Sequence, residues 1–422
     1  MAEFKPVLLT LPSLGPALVL EIIPYGLTIH RMYVQADGKT HDIMVGPEKP
    51  EDHVTRKYIN SIIGRYTNRL PVKPLEFERN GVKGEFTPIP NESERVSLHG
   101  GPLGFGAIPW TQLAPSETPK LFTAAELAAL GTPSDAYAFF RHTSPSGDQN
   151  FPGTLHLETL VALVPPASSL TTAEQALGSV TLVYRARLDD AAGPLVTPIN
   201  ITQHWGFNLE ASLGADNLDV RQHALMLAAD HFAERDADAL PLGGFAAAAG
   251  TPHAHTGTLV GGGKLVGDGY PPTGYDDYYL FRKDAVASVP SHIAADKFTP
   301  EADFLSSLVG AESKQPAAAV LSSAKSGLKV RFDSNQGGVM CYTNCWSNPV
   351  KSGTRKKIHG GSGDVNTGDG YPPHTAVFLE FHHPLASFLI PENKDTELDT
   401  LLTTGEVYNN YVRCDVSYTV PA

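Results

Sequence analysis

Apolar and polar residues alternate along several stretches of the chain. In Val180–Leu188 the apolar and aromatic side chains fall on one face at every second position. Residues 328–332 alternate apolar with basic positions, and Gly337-Gly338 then leads into the mostly apolar stretch Val339–Trp346. Leu155–Leu163 has the composition of a further strand. This period of two, interrupted by glycine and proline, predicts an antiparallel sandwich or barrel.

Helical patterns are few. The clearest is Ser116–Leu130, where a Thr-Ala-Ala-Glu capping sequence begins at Thr123 and Gly131 follows the run. A second short helix is expected within Ala285–Leu308. The sequence therefore predicts short helices among many strands.

No internal repeat and no change in composition marks a linker, so one domain is expected over residues 1–422. Residues 114–150 and 350–373 are expected to be loops or insertions. The second stretch is rich in glycine and contains the basic residues Arg355, Lys356 and Lys357. It is expected to be either a mobile surface loop or a lid, because it lies just before the strand that contains Glu380.

The composition agrees with a strand-rich fold. Apolar residues make up 41% of the 422 residues, which is enough for a sizeable core, and charged residues only 18%. The 39 glycines and 34 prolines are spread along the chain, as short strands joined by turns require. We predict an all-β protein, a large antiparallel β-sandwich with a few short helices in the insertions.

The chain is acidic, with a net charge of −13 and an isoelectric point near 5.6. An acidic surface repels nucleic-acid phosphates and anionic lipids, so neither is an expected partner. The only cysteines are Cys341, Cys345 and Cys414, too few for a disulfide framework. The first 25 residues lack the ordered regions of a signal peptide, and no apolar run is long enough to span a bilayer. A cytoplasmic location is expected.

The sequence contains no convincing metal-binding spacing. Cys341 and Cys345 lack a second pair, and the neighbours His382 and His383 would point to opposite faces of a strand. There is also no phosphate-binding loop, dinucleotide fingerprint or nucleophile elbow. The remaining candidates are five polar residues in strand-like surroundings: Arg69, His99, His204, Asp276 and Glu380.

Two of these candidates have alternative interpretations. Glu380 alternates with Leu379 and Phe381, so it shares a face with Phe378 and His382; a carboxylate there is either exposed or buried for a purpose. His204 is either a hydrogen-bonded core histidine or a catalytic group. Local periodicity does not decide between these alternatives.

Together the five segments resemble the aldose 1-epimerase (galactose mutarotase) family. The matching motifs, in chain order, are Asn68-Arg69-Leu70, Leu98-His99-Gly100-Gly101 with Gly104-Phe105 and Trp110, Asn200 to Leu209 (NITQHWGFNL), Tyr275-Asp276, and Leu379-Glu380 with Pro384. The resemblance covers about Tyr25 to Val416. It implies a galactose mutarotase-like supersandwich.

The chain departs from the family pattern at three places. His204 is followed by Trp205-Gly206 where Ser or Thr and then Tyr is usual, and Asp277 stands where His is common. The family's Glu-Thr-Gln is here Glu380-Phe381-His382. These changes affect the substrate preference and the local detail of the site more than the type of reaction.

The resemblance implies an isomerase that interconverts the α and β anomers of a free hexose such as glucose or galactose by ring opening. It implies that Glu380 is the general base, that His204 is the general acid, and that Arg69, His99 and Asp276 bind the sugar. Such acid–base chemistry requires no metal or organic cofactor. The implied partner is a monosaccharide, and the expected assembly is a monomer or homodimer.

Two rival functions share this fold. One is a non-catalytic carbohydrate-binding protein. The other is a hexose-6-phosphate 1-epimerase, in which Arg65, Arg95 and the Lys351–Lys357 loop would bind the phosphate. A glycosidase is disfavoured because it normally requires two cooperating carboxylates, and only Glu380 and Asp276 are candidates.

Overall fold

The alternating stretches form β-strands. The computed structural model describes residues 2–11, 17–131, 134–166, 174–189, 191, 193–258, 262–351 and 353–421. The strands in these residues are β1 Val7–Thr10, β2 Leu18–Ile23, β3 Thr28–Ala36, β4 Lys39–Asp42, β5 Ile62–Ile63, β6 Arg69–Pro71, β7 Leu75–Arg79, β8 Val82–Phe86, β9 Val96–Leu98, β10 Thr111–Gln112, β11 Tyr137–Ser144, β12 Leu155–Val164, β13 Glu174–Leu188, β14 Val196–Pro198, β15 Thr202–Gln203, β16 Trp205–Phe207, β17 Ala224–Leu227, β18 Ala229–Arg235, β19 Pro241–Ala247, β20 Gly257–Thr258, β21 Gly262–Leu265, β22 Asp276–Phe281, β23 His292–Ala294, β24 Ala319–Ser322, β25 Leu328–Ser334, β26 Gly338–Tyr342, β27 Val377–His382, β28 Leu401–Thr403 and β29 Glu406–Thr419. This strand content confirms the all-β prediction.

Helices are short. The described residues contain one α-helix, α1, over Ala124–Leu130. The 3₁₀ turns are Ala2–Phe4, Pro50–Val54, Phe105–Ala107, Asp148–Asn150, Ala211–Leu213, Val220–Gln222, Lys283–Ala285, Ala295–Lys297, Lys357–His359, Ser387–Leu389 and Pro391–Asn393. The α-helix expected within Ala285–Leu308 is absent from this fully described stretch, which instead contains β23, the last residue of one 3₁₀ turn and the whole 3₁₀ turn Ala295–Lys297. Pro290 and Pro300 interrupt any longer helix there.

Two large antiparallel sheets organise the fold. The larger has eleven strands in the order β10-β11-β12-β13-β29-β25-β24-β17-β21-β20, with β23 paired to β29. The second has six strands in the order β16-β27-β26-β22-β18-β19. A four-stranded sheet β1-β2-β3-β4 and the pairs β14-β28, β15-β5, β6-β9 and β7-β8 complete the described strands.

An aromatic core joins the two large sheets. Trp205 and Phe207 of β16 lie 5.7 and 5.4 Å, between ring centroids, from Phe332 of β25. Phe381 of β27 lies 5.1 Å from the same ring. All four side chains are buried, which agrees with the hydrophobic effect as the main stabilising term. Because side chains alternate along β27, Glu380 points to the face opposite to Phe381.

The stretch 114–150 is more than a loop. It contains α1, whose capping box joins Thr123 and Glu126 as the sequence indicated. It also contains β11, which pairs with β12 along its full length in the eleven-stranded sheet. A plain loop is therefore wrong for this stretch, because the apolar face of β11 belongs to the core, whereas its being an insertion stays a prediction. The single-domain organisation stays a prediction.

The stretch 350–373 is attached to the fold by a buried lysine. Lys356 Nζ donates to Asp42 Oδ2 at 2.7 Å and to the carbonyl oxygens of His30 and Met44 at 2.7 and 2.8 Å. This part of the stretch is thus packed against β3 and β4. The three cysteines are unpaired. Among the described residues, none of the helices has the length and apolar character to cross a bilayer.

Candidate active site

The strand register brings His204 and Glu380 together. β16 and β27 are antiparallel neighbours, and Trp205 pairs with Leu379. The residue before Trp205 therefore lies opposite the residue after Leu379. His204 Nε2 accordingly lies 3.1 Å from Glu380 Oε1. Two side chains that are distant along the chain form one hydrogen-bonded pair.

The backbone on both sides of His204 is fixed by a tight loop. The N–H of Asn60 donates to the carbonyl of His204 at 2.9 Å, and the N–H of His204 donates to the carbonyl of Ser61 at 3.0 Å. The side chain of Asn60 accepts from the N–H of Gly206 at 2.8 Å. These bonds hold the imidazole in place before any ligand arrives.

The pair is buried, and its two groups carry opposite charges. Burial alone lowers the pKa of His204, but the charge and hydrogen bond of Glu380 raise it above its ordinary value. Burial likewise raises the pKa of Glu380, but the charge and hydrogen bond of His204 dominate and lower it to about 2. The resting pair is therefore an imidazolium and a carboxylate. The carboxylate thus departs from the near-neutral pKa expected of a tuned base.

Hydrogen-bonding capacity in this pair is left unused. Glu380 Oε2 and His204 Nδ1 are buried and have no hydrogen-bond partner among the described residues. Buried polar atoms normally have partners, so such atoms in a native structure need an explanation. A bound ligand is one explanation, because a hydroxyl group would satisfy the free carboxylate oxygen.

His99 reaches the pair from the end of β9, which is paired with β6. Arg69 pairs with Leu98, so Asn68 and His99 face each other where the two strands end. Asn68 donates its N–H to His99 Nδ1 at 3.2 Å, and therefore a neutral His99 carries its proton on Nε2. Burial is the main reason that the pKa of His99 falls to about 3, so the ring is neutral. Its centroid lies 5.4 Å from that of His204, edge to face.

Arg69 and Asp276 form the more exposed side of the site. Arg69 Nη1 lies 3.9 Å from Asp276 Oδ2, and the guanidinium makes a two-pronged hydrogen bond to Glu92 at 2.7 and 2.8 Å. The side chain of Asp276 is 31% exposed, whereas that of Glu380 is 3% exposed. Burial, assisted by the charge of Glu380, raises the pKa of Asp276 against the opposite effect of the two arginines beside it. All five candidate residues thus lie in one cluster, whose roles stay predictions.

Sequence reasoning missed several neighbours of this cluster. Arg235 of β18 contacts Asp276 and Asp277, and Glu92 orients Arg69. Neither residue lies in a recognisable motif, and both act through long-range pairing, so the sequence offered no signal for them. Tyr58, whose ring lies 4.7 Å from His99, was missed for the same reason.

The aromatic side chains beside the site come from β27 and β26. Trp205 and Phe207 belong to the core between the sheets and do not line the site. The ring beside His204 is Phe378, at 4.9 Å between centroids, and Tyr342 stacks on it at 5.7 Å. Trp346, which follows β26, is 69% exposed. Alternation along β27 did indicate that Phe378 shares a face with Glu380.

One buried group of atoms has a metal-like arrangement. One ligand atom from each of His99, His204 and Glu380 lies within 4.8 Å of the others. Since Asn68 occupies His99 Nδ1, and His204 Nε2 already bonds to Glu380, an ion here would have to displace the chain's own hydrogen bond. Acid–base chemistry uses these groups as they stand.

The basic residues considered for phosphate binding do not converge on this cluster. Arg65 is buried and donates to the carbonyls of Pro152 and Gly153 at 2.9 and 3.0 Å. Arg95 is 75% exposed and pairs with Asp238. Lys356 is bound to Asp42.

The chain is similar to a known protein family. The family model for aldose 1-epimerases matches residues 14–414. Galactose mutarotase of Mus musculus is 28% identical over 242 residues, which are 56% of this chain and 56% of that protein. Aldose 1-epimerase of Escherichia coli (strain K12) is 25% identical over 291 residues, 68% of this chain and 71% of that protein. The match to the mouse protein thus spans little more than half of its length.

Solved structures show the same fold. The aldose epimerase homologue of C. elegans superimposes with a TM-score of 0.67 and 16% identity, covering 98% of this chain and all (100%) of that one. Galactose 1-epimerase of Lactobacillus acidophilus gives a TM-score of 0.63 at 16% identity, with 98% of each chain covered. These likenesses confirm the galactose mutarotase-like fold that the sequence predicted. Because the family model matches residues 14–414, nearly the whole of this chain, the chain belongs to the aldose 1-epimerase family.

Proposed function

We propose that this protein is a cofactor-independent aldose 1-epimerase that interconverts the α and β anomers of a free hexose such as glucose or galactose. The observation that carries the proposal is the 3.1 Å contact between His204 Nε2 and Glu380 Oε1 in a buried site. Anomer exchange needs one base and one acid on two oxygens of the same carbon. A carboxylate and an imidazolium held side by side meet that requirement.

In the proposed reaction Glu380 removes the proton of the C1 hydroxyl while His204 protonates the ring oxygen. The bond between C1 and the ring oxygen breaks, and the open-chain aldehyde forms. Rotation about the C1–C2 bond presents the other face of the aldehyde. His204 then takes the proton back from the attacking hydroxyl, and Glu380 returns its proton to the C1 oxygen. Both groups end the cycle as they began.

Binding of the sugar would strengthen the base. In the resting site, the hydrogen bond and charge of His204 lower the pKa of Glu380 to about 2. A sugar that enters between the two groups replaces their direct contact. The burial of Glu380 then acts with less opposition and raises its pKa, so the carboxylate becomes more basic as the C1 hydroxyl arrives.

The remaining cluster suits a neutral, hydroxyl-rich ligand. Asp276 accepts hydrogen bonds, whereas Arg69 and neutral His99 donate them. The charges of Arg69 and Asp276 lie beside each other and offset in part, so the site has no strong preference for an anion. We propose that these three residues bind and orient the sugar. A cytoplasmic location and a monomeric or dimeric assembly stay predictions.

Polarimetry of freshly dissolved α-D-galactose and α-D-glucose tests the function. The protein is expected to accelerate the approach to the equilibrium rotation well beyond the spontaneous rate in the same buffer. A protein that binds these sugars and leaves the spontaneous rate unchanged would instead be a non-catalytic carbohydrate-binding protein.

A further inference from the structure

Two acidic residues stand side by side at the start of β22, and one arginine contacts both. β18 and β22 are antiparallel, with Phe232 opposite Tyr279. Arg235 lies three residues further along β18, and its side chain contacts Asp276 and Asp277 at the start of β22. The side chain of Arg235 is only 15% exposed, so its guanidinium is largely removed from water.

The contacts of Arg235 are divided between the two acids. Its Nη2 donates to the backbone carbonyl of Asp276 and to Asp277 Oδ1, the latter at 3.0 Å. Its Nη1 lies 3.8 Å from Asp276 Oδ2 and has no hydrogen-bond partner among the described residues. Asp277 thus fixes the guanidinium, and the guanidinium faces the Asp276 carboxylate.

The charges around Asp276 make this contact important. The carboxylates of Asp277 and Glu380 both disfavour a charge on Asp276, and Arg235 and Arg69 favour it. Arg69 is also shared with Glu92, to which it makes the shorter contacts. Arg235 and Arg69, at 3.8 and 3.9 Å from Asp276 Oδ2, are therefore the two groups that support an ionised Asp276.

We propose that Arg235, anchored by Asp277, is a positioning residue that holds the Asp276 carboxylate ready to accept a hydrogen bond from one particular sugar hydroxyl. This inference rests on the proposed function. The anchor is the 3.0 Å contact between Asp277 Oδ1 and Arg235 Nη2. Arg235 itself takes no part in proton transfer.

The test combines substitutions with sugars that lack single hydroxyls. Anomer exchange is measured for wild type, Arg235→Gln and Arg235→Lys on D-galactose and on its 2-, 3-, 4- and 6-deoxy derivatives. On D-galactose, Arg235→Gln is expected to raise KM by about 10- to 100-fold, as loss of a charged hydrogen bond does, with kcat changed much less. Arg235→Lys keeps the charge, and its KM is expected to lie between those of wild type and Arg235→Gln.

The deoxy sugars separate positioning from a general structural role. Wild type is expected to lose affinity strongly for the one derivative that lacks the hydroxyl bound by Asp276, and Arg235→Gln is expected to show little further loss for it. Arg282→Gln is the matched control, since Arg282 follows β22 and pairs with Asp230 and Asp284 at the surface. It should behave as wild type.

Each outcome decides the inference. An unchanged KM in Arg235→Gln, or equal losses for all five sugars, would overturn it. Should Arg235→Gln fail to fold, Asp277→Asn leaves the arginine in place without its anchor and is expected to show the same selective pattern more weakly. Calorimetry measures the affinity of each variant for the same sugars, and so tests the inference without turnover. The absence of anomer exchange in wild type would refute the proposed function and leave the binding result to decide the role of Arg235.

Discussion

Two buried ion pairs in this protein differ in how completely their polar atoms are hydrogen-bonded. Lys356 and Asp42 are saturated: the ammonium makes three hydrogen bonds, and Asp42 Oδ1 accepts the N–H groups of Met32 and Met44 at 3.3 and 3.2 Å. His204 and Glu380 make one mutual bond, and each keeps a buried atom without a partner in the described residues.

The contrast separates a structural pair from the pair that we propose to be catalytic. Burying charge is expensive unless every lone pair and proton finds a partner, and the Lys356 cluster meets that condition. The His204–Glu380 pair does not, so its geometry favours a ligand that completes it. The two pairs are similar in burial, in charge and in the distance between the charged atoms. They differ in whether buried polar atoms are left without a hydrogen bond.

The largest expected effect is on catalysis. Glu380→Gln removes the base and retains the shape of the side chain. We expect anomer exchange to fall by about 10²- to 10⁴-fold, which is about 3–5 kcal/mol of transition-state stabilisation. The melting temperature is expected to fall only modestly, because His204 can lose its proton when the partner charge is removed and then leaves no uncompensated buried charge. Polarimetry and thermal unfolding measure the two quantities.

Lys356 is expected to show the opposite pattern. Lys356→Met leaves Asp42 buried with less compensation and should lower the free energy of unfolding by about 3–5 kcal/mol. Activity per folded molecule should change little. Chemical denaturation measures the loss, and Lys357→Met, a change at the exposed neighbour, is the control. Equal stability of the two variants would contradict the structural role of Lys356.

The pH dependence sharpens the comparison further. The proposed mechanism needs ionised Glu380 and protonated His204. Because the pKa of Glu380 is lowered to about 2, kcat/KM should not fall on the acidic side until the protein unfolds. Because the pKa of His204 is raised above its ordinary value, kcat/KM should fall as pH rises through that raised pKa. The free energy of unfolding contributed by the ion pair is expected to be lost as pH rises through the same pKa. A decline that begins below about pH 6.5 would contradict this assignment.

The smallest effect is expected from a phosphate on the substrate. Arg65 and Lys356 are committed to buried partners, and Arg95 pairs at the surface. With a net charge of −13, the protein as a whole does not attract a phosphorylated sugar. Glucose 6-phosphate is expected to show a kcat/KM up to about tenfold below that of glucose. A higher value for the phosphate would support the rival epimerase.

The sequence predicted the elements that depend on local pattern. Alternation identified the strands at Val180–Leu188 and Leu155–Leu163, and the capping box located the start of α1. The β11 strand was missed because the turn-rich residues before it suggested an insertion. The resemblance to a family supplied His204 and Glu380; periodicity alone left both undecided.

Other features of the site depend on long-range contacts. Arg235 reaches Asp277 across neighbouring strands, and Lys356 reaches Asp42 from the far end of the chain. Nothing in the local sequence of Arg355, Lys356 and Lys357 indicates that the middle residue is buried and its neighbours are not. Such contacts follow from the register of the sheets, which pattern alone does not fix.

The most direct test of the central claim is the rate of anomer exchange of D-galactose at equilibrium, measured by NMR magnetisation transfer in wild type, Glu380→Gln, His204→Asn and the double variant. If the two groups act as one unit, each single variant loses at least about 100-fold, and the double variant loses little more than the slower single one. Exchange at the wild-type rate in either folded single variant would contradict the claim.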